Sequence, residues 1–365
     1  MRATMSSDIY HKLGDRLNKN RPSFPLIEPV LNFLKSIYTE EQAALAAEIP
    51  MGAHTSKALA ELFNRNQKEL TGFLETMADK GLIFVSRNDE GEKEYSVVPF
   101  VPGLVEFQSM RGTETPEDIE QARIVKEMMN AMEKCSSEFY NNPERANKVP
   151  AGLRTIPVEQ ELPDNTSIRS YEQVSATIAL EDSIAVGYCH CRHTAKLTGN
   201  PCKIENVPDN CCFYFGKVAD YMIDRGFAER VNQDECLVIL KECEDAGLVH
   251  NINDIFGFNH VLCNCCGCCC DFLLKMKRYR GLINVAPSNF KVTVDIENCT
   301  ACEECVSGCQ VEAICIENDH ASINHDYCLG CGNCVAGCPS DSLSMIRNSD
   351  TPPIKIDIEL AGLGR

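Results

Sequence analysis

The run Cys263-Asn264-Cys265-Cys266-Gly267-Cys268-Cys269-Cys270 places six thiols in eight residues and is the stretch best suited to chemistry. Adjacent cysteines rarely meet the geometry of a disulfide with one another. Thiolates at this density instead favour a soft metal ion or an iron–sulfur cluster. Five more cysteines precede the run: Cys189, Cys191, Cys202, Cys211 and Cys212. These eleven residues are the candidate metal ligands in the middle of the chain.

The eleven cysteines can be divided in more than one way. A [4Fe–4S] cube takes four thiolates, so they could supply two cubes with three to spare, or one cube and a site with free thiolates or an open iron. We expect one set from Cys189, Cys191, Cys202 and one of Cys211 or Cys212, and another from the run. Adjacent residues of an extended segment point to opposite sides, so all six of the run cannot bind one centre. The spacings are not those of a zinc ribbon, and iron–sulfur is favoured over zinc and over plain thiols.

Polar residues beside these cysteines have two possible roles. His190 and His193 could bind metal or donate hydrogen bonds to cluster sulfur, but a merely polar, half-exposed role is favoured. Arg192, Lys196 and Lys203 could offset thiolate charge or receive an anionic substrate. Four basic residues follow the run and predict either a solvated helix face or a docking surface: Lys275, Lys277, Arg278 and Arg280.

Two regularly spaced cysteine motifs begin after Val292. They are Cys299-x2-Cys302-x2-Cys305-x3-Cys309 and Cys328-x2-Cys331-x2-Cys334-x3-Cys338-Pro339. Residues 290–346 therefore resemble a bacterial 2[4Fe–4S] ferredoxin. The resemblance implies that one cube is held by Cys299, Cys302, Cys305 and Cys338, and the other by Cys328, Cys331, Cys334 and Cys309.

The ferredoxin resemblance also carries local expectations. The fourth cysteine of each motif is expected to open a short helix that reaches the opposite cluster. Gly308, Gly330, Gly332 and Gly337 would let backbone N–H groups approach the sulfurs. Gln310 stands where the family usually has proline, which should loosen a turn without changing a ligand. Cys315 is additional and is predicted to be a core residue.

The N-terminal part, residues 23–112, is predicted to contain four helices followed by a hairpin. This order resembles the winged helix of transcription factors. DNA binding draws most of its affinity from phosphate neutralisation. The helix that would read DNA carries Glu69, Glu75 and Asp79 against two lysines, and the predicted hairpin is acidic. A packing or protein-docking role is therefore favoured, and nucleic acid is not expected as a partner.

The rest of the chain divides by composition into further segments. Residues 113–165 predict a long helix and a linker, with Cys135 as a buried apolar residue. Residues 166–290 alternate helical and strand-like pieces, and Cys236 and Cys243 fall on the inner face of a capped helix. Residues 291–347 form the ferredoxin-like domain and 348–365 a C-terminal tail. The predicted fold is α+β, with a winged-helix-like module, a cysteine-rich domain and a ferredoxin fold.

The composition limits the partners and the compartment that are expected for the protein. The chain has 365 residues, 23 cysteines and a net charge of -18, which disfavours nonspecific binding to nucleic acid or anionic lipid. No apolar run approaches the ~20 residues of a membrane span, so membrane insertion is not expected. Residues 1–22 lack the apolar core of a signal peptide. Reduced thiols in the cytoplasm of an anaerobe are expected.

These observations favour an iron–sulfur protein that carries low-potential electrons between two ferredoxin [4Fe–4S] clusters and one or two further [4Fe–4S] clusters in the middle domain. A redox partner protein is expected, and an oxidoreductase component is favoured over a free-standing catalyst. The alternatives are a reductase with an open iron–sulfur site and a redox-sensing winged-helix regulator. The combination of cysteine groups resembles multi-cluster proteins of anaerobes that have no assigned reaction.

Overall fold

The computed structural model describes residues 2–19, 24–141, 151–163, 168–253, 260–282 and 284–354. Helices and strands are mixed along the chain, consistent with the predicted α+β class. Within the described residues, none of the helices has the length and apolar character needed to cross a membrane.

The N-terminal part is helical and ends in a small sheet. Its elements are α1 (Arg2–Leu17), α2 (Glu28–Ile37), α3 (Glu40–Glu48), β1 (His54–Thr55), α4 (Ser56–Phe63), α5 (Gln67–Asp79), β2 (Ile83–Arg87) and β3 (Lys93–Val97). Thr39 and Gln42, whose types and spacing predict a capping box, form one at the start of α3, and Asn66 caps α5. The three strands pair antiparallel in the order β1-β3-β2. The helices and hairpin thus form as predicted, whereas the likeness to a winged helix stays a prediction.

Helix α1 is an element that the sequence prediction did not include. Its apolar residues Tyr10, Leu13 and Leu17 are buried and recur at helical spacing. The Tyr10 hydroxyl donates to the Tyr38 carbonyl oxygen at 3.0 Å, and Arg16 Nε donates to the Ile49 carbonyl oxygen at 2.6 Å. The helix is thereby fixed against α2 and α3.

Two helices connect this part to the middle of the chain, α6 (Val105–Phe107) and α7 (Pro116–Tyr140). Cys135 on α7 is exposed, so the prediction that it is buried was wrong. Glu133, two positions earlier and on about the opposite side of the helix, faces inward and pairs with Arg278. Residues 142–150 and 164–165 of the predicted linker lie outside the described residues.

A seven-stranded sheet organises the middle of the chain. Its strands are β4 (Leu153–Ile156), β5 (Ile184–Tyr188), β6 (Asn210–Phe215), β7 (Glu229–Val231), β8 (Val249–Asn253), β9 (Val261–Cys265) and β10 (Val285–Ala286). The order is β10-β4-β8-β9-β6-β5-β7, and every pair except β10–β4 is antiparallel. Strand β4 comes from the segment predicted as linker.

The helices around this sheet are α8 (Val174–Ile178), α9 (His190–Leu197), α10 (Gly216–Asp224), α11 (Gln233–Asp245) and α12 (Asp271–Tyr279). Helix α11 starts with a capping box formed by Asn232 and Glu235, and Cys236 and Cys243 are buried, as predicted. The sequence favours a helix over residues 213–225, but residues 213–215 belong to β6. Phe213 and Tyr214 are paired there with strands on both sides.

The C-terminal part repeats one arrangement twice. Its elements are β11 (Phe290–Val294), α13 (Glu304–Ser307), β12 (Ile314–Glu317), β13 (His320–Ile323), α14 (Asn333–Ala336) and β14 (Leu343–Arg347). Strand β11 pairs with β14, and β12 pairs with β13. Cys309 and Cys338 follow α13 and α14 and do not open helices, contrary to the prediction. Cys315 is exposed, not in the core, because alternation along β12 turns Ile314 inward and Cys315 outward.

Polar contacts join the three parts of the fold. Arg225, after α10, reaches Glu75 at 2.9 Å and Asp79 at 2.7 Å on α5. Arg347 on β14 forms a bidentate pair with the buried Glu172, both distances being 2.9 Å. The N-terminal and C-terminal parts therefore both pack on the middle of the chain.

Candidate metal centre

Three neighbouring strands of the central sheet place cysteines at the same end of the sheet. Strand β5 runs directly into Cys189, β6 carries Cys211 and Cys212 near its start, and β9 carries Cys263 and Cys265 at its end. Because β6 is antiparallel to both β5 and β9, its start lies beside their ends. The sheet thus brings together cysteines that are more than 70 residues apart in sequence.

Contacts between thiols connect seven of the eleven candidate cysteines, and Cys211 also interacts with the buried Cys243 of α11. Cys189 interacts with Cys191, Cys211 and Cys212. Cys212 interacts with Cys263, and Cys263 with Cys265. Cys270, just before α12, closes the group by interacting with both Cys191 and Cys265. We call this the seven-thiol group: Cys189, Cys191, Cys211, Cys212, Cys263, Cys265 and Cys270. All but the half-buried Cys191 and Cys263 are buried.

A second group contains Cys202, Cys266, Cys268 and Cys269, whose four sulfurs all lie within 4.8 Å of one another. We call it the four-thiol group. Cys202 was assigned to the set of Cys189 and Cys191, and the structure corrects this division. The connection from α9 to β6 folds over the turn after β9, which places Cys202 Sγ 3.5 Å from Cys268 Sγ. The cysteine run is therefore divided between two groups.

A buried arginine lies against the seven-thiol group. Arg192 is 8% exposed, and its guanidinium contacts Cys211 Sγ and donates to the Asn264 carbonyl oxygen at 2.9 Å. Burial opposes its charge, but the thiolates of Cys189, Cys211 and Cys212 outweigh burial and raise the pKa of Arg192. Of the two predicted roles, offsetting thiolate charge fits this position.

Asn264, inside the cysteine run, is a functional residue that the sequence prediction missed. It is fully buried, and its side-chain amide donates to the Cys211 carbonyl oxygen at 2.7 Å. Its Oδ1 is 2.5 Å from Nδ1 of the buried His250. The sequence places Asn264 between two cysteines, but only the pairing of the strands shows that its side chain links β9 to β6 and β8.

The two histidines near Cys189 hydrogen-bond to Ser109 and not to sulfur. His190 Nδ1 is 2.5 Å from Ser109 Oγ, and His193 Nδ1 donates to the Ser109 carbonyl oxygen at 2.6 Å. His190 is half buried, as expected, but His193 is only 5% exposed and packs against the Tyr188 ring. Nothing in the sequence marks a lone serine 80 residues away as their partner.

A carboxyl and a phenol also lie near Cys263. Burial raises the pKa of Glu106 to about 7, despite a hydrogen bond from the Gly103 N–H at 2.7 Å, and the charge of Cys263 adds to the increase. Tyr214 is buried, and its hydroxyl donates to Met110 Sδ at 3.5 Å. Glu106 could exchange protons beside the seven-thiol group, whereas burial raises the pKa of the Tyr214 hydroxyl well above its ordinary value and so keeps its proton in place.

Most of the basic residues near the cysteines have acidic partners within the chain. Lys196 pairs with Glu114 at 2.6 Å, while the Lys203 backbone N–H points to Cys268 Sγ at 3.4 Å. The basic residues after the run pair as Lys275–Asp271, Lys277–Glu312, Arg278–Glu133 and Arg280–Glu312. The Lys275–Asp271 pair lies within α12, whereas the other three pairs link α12 to α7 and to the ferredoxin-like part.

The ferredoxin-like cysteines lie in two sets. Cys299, Cys302, Cys305 and Cys338 line one small cavity. Burial raises the pKa of Cys331, and the neighbouring thiolates of Cys309 and Cys328 add to it. Burial also raises the pKa of Cys334, and the neighbouring thiolates of Cys331, Cys328 and Cys309 add to the increase.

Backbone N–H groups approach the ferredoxin-like sulfurs. Ala321 N–H lies 3.4 Å from Cys299 Sγ, and Ala313 N–H lies 3.2 Å from Cys309 Sγ. Gly330 donates to Cys328, as expected for one of the four glycines. Its φ of +62° and its close approach to Phe290 both require glycine.

The ferredoxin-like part and the cysteine run share one apolar cluster. Cys265, Cys270 and Leu273 are buried in it with Val311, Ala313 and Leu329, and further cysteines pack against it: Cys263, Cys309, Cys328 and Cys331. Gln310 Oε1 accepts a hydrogen bond from the Gly267 N–H at 2.7 Å. Gln310 therefore anchors the two parts, a role beyond the loosened turn that the sequence predicted.

Comparison with known proteins gives one partial match. Residues 321–344 match the 4Fe-4S binding domain family, Fer4. No curated protein and no solved structure matches the chain. The matched segment contains Cys328, Cys331, Cys334 and Cys338. The similarity indicates [4Fe–4S] binding in this part of the chain, and hence an iron–sulfur protein.

Proposed function

We propose that the protein transfers low-potential electrons between two ferredoxin-type [4Fe–4S] clusters and a further iron–sulfur centre at the seven-thiol group. One cluster is held by Cys299, Cys302, Cys305 and Cys338, and the other by Cys309, Cys328, Cys331 and Cys334. The protein acts as an oxidoreductase component in the cytoplasm of an anaerobe and exchanges electrons with a redox partner protein.

The shared apolar cluster is the observation that carries this proposal. It places Cys309 and Cys328 of the second ferredoxin-like set in the same core as Cys265 and Cys270 of the seven-thiol group. Buried apolar side chains such as Val311 and Leu329 belong to the same cluster. An apolar surrounding excludes solvent and controls the reduction potential of a cluster. The two centres are thus adjacent and insulated, as electron transfer requires.

The first prediction concerns the second ferredoxin-like set. Cys309→Ala removes one of its thiolates, and we expect loss of about four irons and four sulfides per chain, because a cube needs four thiolates. Electrons from dithionite should then reach the seven-thiol centre more slowly than in the wild-type protein, since the adjacent cluster is missing. Metal and sulfide analysis and freeze-quenched EPR of anaerobically purified protein measure both effects.

Cys315→Ala is the matched control for this experiment. Cys315 lies in the same segment but is exposed, so the variant should retain its iron and its reduction rate. Reduction of the seven-thiol centre at the wild-type rate in Cys309→Ala would contradict the proposed electron path. A wild-type content of no more than about eight irons would leave the seven-thiol group without a cluster.

A reductase is the second candidate function, because Glu106 lies near Cys263 and its raised pKa suits it to supply a proton to a substrate. It requires an iron with an open position. Seven thiols exceed the four of a single cube, which favours complete thiolate ligation and hence electron transfer. Addition of carbon monoxide to the reduced protein distinguishes them: an altered EPR spectrum of the middle centre would favour the reductase.

A redox-sensing regulator has less support. The acidic residues Glu75 and Asp79 of α5 pair with Arg225, and the Tyr221 hydroxyl donates to the Ala78 carbonyl oxygen at 3.0 Å. These contacts hold α5 against α10, which favours a packing role for the winged-helix-like part. A regulator would be supported if the protein changed the gel mobility of DNA from the region upstream of its gene in a redox-dependent way.

A further inference from the structure

We propose that the four-thiol group, Cys202, Cys266, Cys268 and Cys269, binds a single tetrahedral metal ion, zinc or iron, and not a four-iron cube. This site is separate from the three iron–sulfur centres of the proposed function. Soft thiolates in a tetrahedral set of four suit either ion.

The sulfur–sulfur distances distinguish one ion from a cube. Cys202 Sγ lies 3.8 Å from Cys266 Sγ and 3.5 Å from Cys268 Sγ, and Cys268 Sγ lies 3.7 Å from Cys269 Sγ. Four metal–sulfur bonds of ~2.3 Å at tetrahedral angles place the sulfurs ~3.8 Å apart. In a cube each thiolate binds a different iron, so the sulfurs lie farther from one another. The observed spacing is that of ligands around one ion.

The ligands come from two segments that the sheet does not join. Cys202 belongs to the connection between α9 and β6, in which residues 200–209 form neither helix nor strand. The other three belong to the turn that follows β9. An ion bound by both segments would fasten this connection to the cysteine run. Cys268 Sγ also accepts the Lys203 backbone N–H at 3.4 Å, and such donors orient and stabilise bound thiolates.

The identity of the ion decides the role of the site. Four protein ligands leave no open position, which is the arrangement of structural zinc sites. Zinc has no redox chemistry, so it would only hold the connection in place. Iron in the same four thiolates would add a one-electron centre that contains no inorganic sulfide. Metal analysis and EPR of the oxidised protein therefore distinguish zinc from iron at this site.

The test measures zinc, iron and sulfide in anaerobically purified full-length protein. We expect Cys202→Ala and Cys268→Ala each to lose about one zinc, or about one iron without sulfide, per chain. The control Cys315→Ala should lose neither. Loss of about four irons with an equal amount of sulfide would overturn the proposal. A wild-type protein without zinc in which iron equals sulfide would overturn it as well.

A measurement on the unaltered protein covers the case in which these variants do not fold. X-ray absorption at the zinc edge should show a single shell of four sulfurs at about 2.3 Å. If the ion is iron, a tetrahedral ferric signal should appear in EPR beside the cluster signals. Nitrogen or oxygen neighbours in place of the sulfur shell would exclude the four-thiol group as the ligand set. None of these results depends on electron transfer at the seven-thiol group.

Discussion

Arg192→Ala is expected to remove the iron–sulfur centre that we propose at the seven-thiol group and to lower the free energy of unfolding by about 3–5 kcal/mol, the cost of leaving buried charge unpaired. The guanidinium is buried against Cys211 Sγ and the Asn264 carbonyl oxygen. Without it the thiolates lose a cation, and the carbonyl loses a donor. Iron and sulfide per chain and anaerobic denaturant unfolding measure the two effects.

Two further variants make the result specific to charge at this position. Arg192→Lys keeps the charge but not the planar group of donors, so an intermediate loss is expected. Arg230→Ala removes an arginine from an exposed pair with Asp220 and should cost less than about 1 kcal/mol. If Arg192→Ala retained full iron and sulfide, the thiolates would not need this cation.

Local patterns in the sequence were sufficient for much of the fold. The start of α3 at Thr39 and the start of α11 at Asn232 could be predicted because a cap and its partner lie three residues apart. The ferredoxin-like motifs could be recognised for the same reason, because the cysteines of each motif lie within a few residues of one another in sequence. The spacing of Tyr10, Leu13 and Leu17 is also local, and it is the spacing of one face of a helix, which marks α1.

The arrangement of the candidate site depends on contacts that no local spacing encodes. Cys202 is separated from Cys268 by 66 residues, and only the order of strands in the sheet decides which thiols it meets. Ser109 is 84 residues from His193, with no signal to connect them. The absence of the usual proline at Gln310 was visible in the sequence, but its partner Gly267 was not.

Gly267→Ala is expected to lower the free energy of unfolding by about 1–3 kcal/mol through overpacking. A Cβ at this position would overlap the Gln310 carbonyl oxygen, and backbone cannot move aside as a side-chain end can. Separation of the two parts would also open the apolar cluster that the second ferredoxin-like set shares with the seven-thiol group, so the electron transfer that we propose between them should be slower. Denaturant unfolding and freeze-quenched EPR are the measurements.

Gln310→Ala and Gly72→Ala are the comparisons for this variant. Gln310→Ala removes the acceptor of one hydrogen bond without adding a clash, and a cost of about 1 kcal/mol is expected. Gly72 lies within α5 with open space around it, so alanine there should stabilise the protein by about 0.5–1 kcal/mol. Wild-type stability together with wild-type reduction of the seven-thiol centre in Gly267→Ala would show that the close approach of Gly267 to Gln310 does not hold the ferredoxin-like part in place.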